Sequence, residues 1–390
     1  MARKKQNTQQ APRAAPAGEG ASYAGASAGG ARRAIVLTGG GTAGHVLPNL
    51  TLLPKLLAAG WDVHYIGTKK GGEAALMPKE GITYHAIQTG KFRRYFAAEN
   101  FVDPFKVACG VAQAFAVLSR VKPSVVFSKG GFVGVPVILA AKLRRIPSVV
   151  HESDITPGLA NRICAPLASA ICTSFRQTAG HLAPSSRAKC RCTGAPVRPE
   201  LLAGDRGEGY RLCGFSGEKP VLLVCGGSTG SQSINRLVRS TLGELLKTFD
   251  VAHLCGRGNA ASELSGLEGY AQFEYAGSEL PHIYSIASLA VSRAGASSIF
   301  ELLSLRIPSV LIPLPLSVSR GDQIRNAEEF EGRGYCVKLE EEQIASGGVL
   351  LGAIQALYGD RARYAAAMEA AESGDAAAEI LATLEAVAAR

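Results

Sequence analysis

A histidine placed directly behind a run of glycines can hold a base next to an anion site. Here residues 34–38, Ala-Ile-Val-Leu-Thr, lead into Gly39-Gly40-Gly41-Thr42-Ala43-Gly44, and His45 follows at once. A glycine turn that opens a helix lets the backbone approach a ligand and points free N–H groups and the positive end of the helix dipole at negative charge. Imidazole titrates near neutral pH, so at this position it can take a proton from a hydroxyl within hydrogen-bond reach. A lone histidine also serves as a structural hydrogen-bonder, and the spacing alone leaves both roles open.

A denser constellation occurs at Ser292-Arg293-Ala294-Gly295-Ala296-Ser297-Ser298-Ile299-Phe300-Glu301. It follows an apolar strand and reads as a small-residue turn opening a second helix, whose first amides suit a phosphate. Glu301 falls about two turns into that helix. A carboxylate there can accept hydrogen bonds from vicinal ribose hydroxyls, or stand as an ordinary solvated helix residue. Further on, Pro313-Leu314-Pro315 forces a loop at a strand's C-terminal end, where open α/β sheets bind ligands. Asp322, Gln323 and Asn326 then stand ready for a polar ligand such as a sugar, or for a helix cap. Charge on a departing diphosphate would be offset by helix N-termini, backbone amides and an arginine such as Arg198. No Asp-x-Asp occurs and no histidine pairs with carboxylate or cysteine at ligand spacing, so neither a catalytic metal nor a cofactor is expected.

The elements that must position these groups form a repeated pattern. Residues 221–225, Val-Leu-Leu-Val-Cys, enter Gly226-Gly227-Ser228-Thr229-Gly230 and a helical run at 234–246, just as 34–38 enter the first turn and a helical run at 47–59. Strand-like runs continue at 63–66, 125–127, 148–151, 170–173 and 188–193, and then at 251–254, 289–292 and 309–312. Short apolar strands alternating with helices mark a parallel sheet covered on both faces. The expected fold is therefore α/β, with two Rossmann-like doubly wound domains facing a cleft. The proline-rich turn Gly194-Ala195-Pro196-Val197-Arg198-Pro199 separates them. The expected division is a disordered basic extension at 1–32, a first domain at 33–196, a second at 197–365, and a terminal helix at 366–390 that could pack back on the first domain.

Half of the +10 net charge falls in the first 33 residues, so the body of the chain is only mildly basic. No basic stripe with interleaved aromatics runs through the second half, which argues against nucleic acid; an anionic membrane surface or a phosphate-bearing substrate accounts for the balance as well. The nine cysteines are scattered and lack metal-ligand spacing, and several sit in apolar runs where a thiol behaves as a small hydrophobe. Without a secretory signal or a long apolar span, reduced thiols in the cytoplasm are expected.

Taken in order, these motifs resemble the UDP-N-acetylglucosamine:lipid I N-acetylglucosaminyltransferases of bacterial peptidoglycan synthesis, the MurG family. The resemblance runs from Arg33 to the C-terminus and includes residues 39–48, Gly130-Gly131-Phe132-Val133, His151-Glu152, residues 194–198, Gly226-Gly227-Ser228, residues 295–301, and Asp322-Gln323 with Asn326. It implies a glycosyltransferase-B fold and inverting, metal-independent transfer of GlcNAc from UDP-GlcNAc to the C4 hydroxyl of MurNAc in lipid I (undecaprenyl-pyrophosphoryl-MurNAc-pentapeptide). The product would be lipid II. By match of motif, Thr42, Ala43, Gly44, Arg198 and Ser228 contact the donor. Ala296, Ser297, Ser298, Ile299, Phe300 and Glu301 hold the nucleotide, with Glu301 on its ribose, and Gln323 touches the sugar. His45 matches a histidine assigned to catalysis.

Two departures stand out. The family often reads His-Glu-Gln-Asn where this chain has His151-Glu152-Ser153-Asp154, and a Gln-Gln pair is here Asp322-Gln323. A polyprenyl-linked acceptor implies a peripheral enzyme on the cytoplasmic face of the cell membrane. Its expected docking segment is Lys91, Phe92, Arg93, Arg94, Tyr95 and Phe96, which interleaves cations with aromatics.

Two other readings compete. Gly39, Gly41 and Gly44 satisfy the dinucleotide fingerprint, but the acid expected about 20 residues on for NAD is replaced by Gly67-Thr68-Lys69-Lys70, which leaves only an NADP-dependent oxidoreductase. The last is a sugar-nucleotide-binding protein without turnover.

Overall fold

The computed structural model describes residues 33–390 apart from 42, 91–98, 228–229, 345–346 and 372–373, and leaves the side chains of 43 and 99–104 undescribed. The expected docking segment, Lys91 to Phe96, lies outside the described residues, as do Thr42 and Ser228.

The first domain carries β1 (Ala34–Thr38), β2 (Asp62–Thr68), β3 (Thr83–Ile87), β4 (Val125–Ser128), β5 (Ser148–Glu152), β6 (Ala170–Thr173) and β7 (Cys190–Cys192). They form one sheet in the order β3-β2-β1-β4-β5-β6-β7, every neighbouring pair parallel. The second carries β8 (Val221–Cys225), β9 (Asp250–Leu254), β10 (Tyr270–Phe273), β11 (Ala287–Ser292), β12 (Ser309–Leu311) and β13 (Cys336–Lys338), ordered β10-β9-β8-β11-β12-β13 and again wholly parallel. Both orders reverse direction once, between β1 and β4 and between β8 and β11. Such a switch point leaves a crevice beyond the strands' carboxyl ends, because the flanking connections leave in opposite directions.

The central strands are almost wholly buried, and Val221–Cys225 entirely so, because helices cover both faces of each sheet. One helix layer of the first domain comprises Glu99–Val121 and Gly134–Leu143, whose Leu118, Val137 and Ile138 pack beneath Val36, Val126 and Val150. On the opposite face, the helix Ala43–Ala58 contributes Leu52, Leu53 and Leu56. It begins four residues before the helical run read from apolar spacing, since in its first turn only Val46 enters the core. The expected run at 234–246 is two helices, Gln232–Ser240 and Leu242–Leu245. At the break, the Thr241 hydroxyl donates to the Leu237 and Val238 carbonyls.

The chain passes back to the first domain after the helix Arg361–Glu369, whose Met368 belongs to the second domain's core. The last helix, Ala376–Ala388, starts at a capping aspartate, Asp375, which accepts from Ala378 N at 3.0 Å. Ala377, Ile380, Leu384 and Val387 recur at helical spacing and enter the first sheet's core beside Leu53 and Leu56. Between the domains, Phe175 of the first sits edge-on to Phe300 at 5.2 Å and to Phe330 at 6.1 Å; such pairs contribute about 0.5–1.5 kcal/mol each beyond area burial.

Backbone conformation fixes the first glycine turn. Gly41 has φ +91°, which an L side chain rarely adopts. Gly131, in the loop after β4, lies against the Gly40 carbonyl with no space for a Cβ. The turn is braced from below: Tyr65 Oη donates to the Gly39 carbonyl at 2.6 Å, and Asn49 Nδ2 donates to Tyr65 Oη at 3.0 Å.

Candidate active site

Both switch points open on one cavity of about 710 Å³. Gly44 and His45 after β1, Lys129 after β4, and Glu152, Ser153 and Asp154 at the end of β5 form the first-domain wall. Opposite them stand Gly227 after β8, the start of the helix Ala296–Ser304 after β11, and Asp322 and Gln323 at the start of the helix Asp322–Gly332. Arg198, which leaves the interdomain turn, completes that wall.

On the first wall His45 Nδ1 lies 3.2 Å from the Lys129 carbonyl oxygen. A carbonyl only accepts, so Nδ1 carries the proton and Nε2 keeps its lone pair. Burial, and then the Lys129 ammonium, hold the His45 pKa below its ordinary value. Burial likewise lowers the Lys129 pKa to about 8, and raises that of Asp154 to about 6 with help from neighbouring Glu152. Glu152 itself is taken up by structure, accepting from Asp154 N, Gly158 N and Asn161 Nδ2 at 2.9–3.0 Å.

On the second wall Gly295 precedes the helix Ala296–Ser304 and no side chain caps it. The N–H groups of its first turn thus face the cavity at Ala296, Ser297 and Ser298 without a capping partner. Glu301 is largely buried: its Oε1 accepts from Arg198 Nη2 at 3.1 Å and its Oε2 from Tyr284 Oη at 3.4 Å. Burial raises the Glu301 pKa, and the Arg198 charge opposes that shift. Gln323 turns its Oε1 to Leu314 N at 3.1 Å, and Asp322 accepts from Thr156 Oγ1 across the interface and from Arg320.

At three residues expected to contact the ligand, the side chains are turned to other partners. Asn326 is fully buried and spent on the domain junction: its Oδ1 accepts from Ile155 N at 3.2 Å, while Nδ2 donates to Asp154 Oδ1 at 2.9 Å and to the Ala294 carbonyl. Ile299 enters the second domain's core. Phe300 joins the aromatic contact with Phe175 and Phe330 and lines a separate cavity behind the cleft. Consecutive helix residues are turned by about 100°, so a helix that shows Glu301 to the cleft must show Phe300 elsewhere. Lys129 and Tyr284 also line the cavity and carry no expectation from the sequence. A lysine heading the Gly130-Gly131 pair at a strand's end was the signal available for the first; nothing local marks the second.

Residues 35–173 match the family model for the glycosyltransferase family 28 N-terminal domain and residues 221–384 that for the family's C-terminal domain. The chain is 50% identical over 355 residues to the UDP-N-acetylglucosamine–N-acetylmuramyl-(pentapeptide) pyrophosphoryl-undecaprenol N-acetylglucosamine transferase of Geobacillus kaustophilus, covering 91% of this chain and 98% of that protein. It is 49% identical over 333 residues to the protein of the same name from Clostridium tetani, covering 85% and 92%. The crystal structure of Acinetobacter baumannii MurG superposes with a TM-score of 0.71 at 22% identity, over 91% of this chain and 99% of that one, a likeness of fold.

Proposed function

The chain belongs to glycosyltransferase family 28 and, within it, to the MurG family; on that premise we propose that it transfers GlcNAc from UDP-GlcNAc to the C4 hydroxyl of MurNAc in lipid I, forming lipid II with inversion at the anomeric carbon. The observation that carries this reading is the division of labour across one cavity. A neutral imidazole with a free Nε2 stands on one wall, and an uncapped helix N-terminus beside a partly buried Arg198–Glu301 pair stands on the other. His45 Nε2 takes the acceptor's C4 hydroxyl proton as that oxygen forms its bond to the anomeric carbon. The bond from that carbon to the UDP oxygen breaks, and UDP departs with the electron pair. Its developing charge meets the amides of Ala296, Ser297 and Ser298 and the Arg198 guanidinium. Glu301 accepts from the ribose hydroxyls, and Asp322 and Gln323 flank the sugar. Amides and guanidinium supply the stabilisation, so no metal is invoked. Family membership sets aside the NADP reading.

The test is UDP release by purified protein given UDP-GlcNAc and a lipid I analogue. Release that needs both substrates supports the transfer, and release with neither dependence removes it. No described helix is long and apolar enough to cross a membrane, and we place the enzyme peripherally on the cytoplasmic face, docked through Lys91, Arg93 and Arg94 with Phe92, Tyr95 and Phe96. Changing the three cations together to Glu abolishes sedimentation with anionic liposomes and spares UDP binding if that segment docks; undiminished sedimentation moves the surface elsewhere.

A further inference from the structure

The transfer chemistry above leaves a buried cation of the first wall without a task. Lys129 is 2% exposed and lines the cleft beside His45. Its ammonium is fixed by two bonds: Nζ donates to His151 Nδ1 at 2.7 Å and to Ser153 Oγ. His151 Nε2 faces the Gly194 carbonyl at 3.2 Å, so that ring carries its proton on Nε2 and accepts on Nδ1. His45, bonded to the Lys129 carbonyl through Nδ1, is held in the opposite tautomer. Among the described residues no carboxylate lies within ion-pair distance of Nζ; Glu152 and Asp154 act on it only at longer range.

Resting on the reading of His45 as the base, we propose that Lys129 is its positioning residue: the carbonyl sets the tautomer, and the pinned ammonium keeps the ring neutral while an anionic diphosphate occupies the cleft. A diphosphate brought into a low-dielectric cleft favours the imidazolium, which would disable the base just as the donor binds. A fixed cation on the protein side counters that pull. The charged groups acting on the ring are Lys129 from the loop after β4, Glu152 from β5, and Arg320 from the loop before the helix Asp322–Gly332. Lys129 and Arg320 disfavour its protonation and Glu152 favours it.

The test is an NMR titration of the His45 ring, assigned by loss of its signal in His45→Gln, with and without UDP. It compares the parent with Lys129→Met and with Lys129→Gln. Gln keeps a donor for His151 and Ser153 without the charge, so it retains the test if Met disturbs folding; thermal melts establish which variants are folded. The His45 midpoint is expected to rise by about one pH unit in either variant, by more with UDP bound, and the acid limb of kcat/KM to move with it. A midpoint unmoved in a folded variant overturns the proposal. Should the parent release no UDP, the assignment of His45 as base falls, while the ring titration still decides whether Lys129 holds it neutral.

Discussion

The two glycine turns are built alike and come to differ. Behind β1 the turn hands the cleft a histidine with a free Nε2, set among buried charges whose pKa values lie far from their ordinary range. Behind β8 the corresponding helix Gln232–Ser240 is already occupied at its start. Ser231 Oγ accepts from Ile234 N at 3.5 Å, and Arg293 donates to Ser231 and Ser233 at 2.8–2.9 Å. Uncapped N-termini on that side belong instead to the helix after β11 and to the helix Asp322–Gly332. Repeating a strand–turn–helix unit therefore does not repeat its task, because whichever groups cap a helix decide whether its amides remain for a ligand. In our reading the first wall moves the proton and the second receives the anion.

His45→Ala strikes that distinction hardest. Turnover should fall about 10²–10⁴-fold, the usual worth of general base assistance, with UDP affinity within a few fold of the parent. Steady-state kinetics beside calorimetry checks it, and a parallel loss of UDP affinity would erase the contrast between the walls.

Glu301→Ala should do the converse. A lost charge-assisted hydrogen bond costs about 1.5–3 kcal/mol, about 10–150-fold in UDP Kd, read by calorimetry with thermal stability as control. Equal UDP affinity would remove the ribose contact from the second wall.

Asn326→Ala tests the junction that holds the walls face to face. It leaves Ile155 N without its acceptor and Asp154 without its donor, so denaturant unfolding should show about 1–3 kcal/mol lost. If stability is unchanged, the clamp does not hold the domains.

The last contrast is a pH dependence. Burial raises the Asp154 pKa in the folded chain to about 6 from 3.8, so between those values the native state binds more protons than the unfolded state and stability rises as pH falls. Relative to Asp154→Asn, the parent should become more stable as pH drops from 7 toward 4, measured by melts across that range. A constant difference would mean that Asp154 titrates normally and does not belong to the charged cluster on the first wall.

Much of this was readable from residue order. Central strands such as β1, β4, β8 and β11 are covered on both faces and so are built mostly of apolar residues, a signal that survives without any structure. The glycine turns, His45, the small residues ahead of Glu301 and the prolines after β12 are likewise local, since each follows from what one stretch of backbone can adopt. β3, β10 and β13 escaped notice because they lie at sheet edges, where one flank is open and an unbroken apolar run is not required. Only the tertiary structure could decide that the last helix lies on the first sheet, since an apolar face states that burial is needed without saying against what. It also turned Asn326 into the junction and Phe300 away from the cleft, and it set the Lys129 ammonium between His151 and Ser153. A hydrogen-bond partner more than twenty positions away, or in the other domain, leaves no mark on the spacing of neighbours; it is chosen by how the two sheets come to face each other.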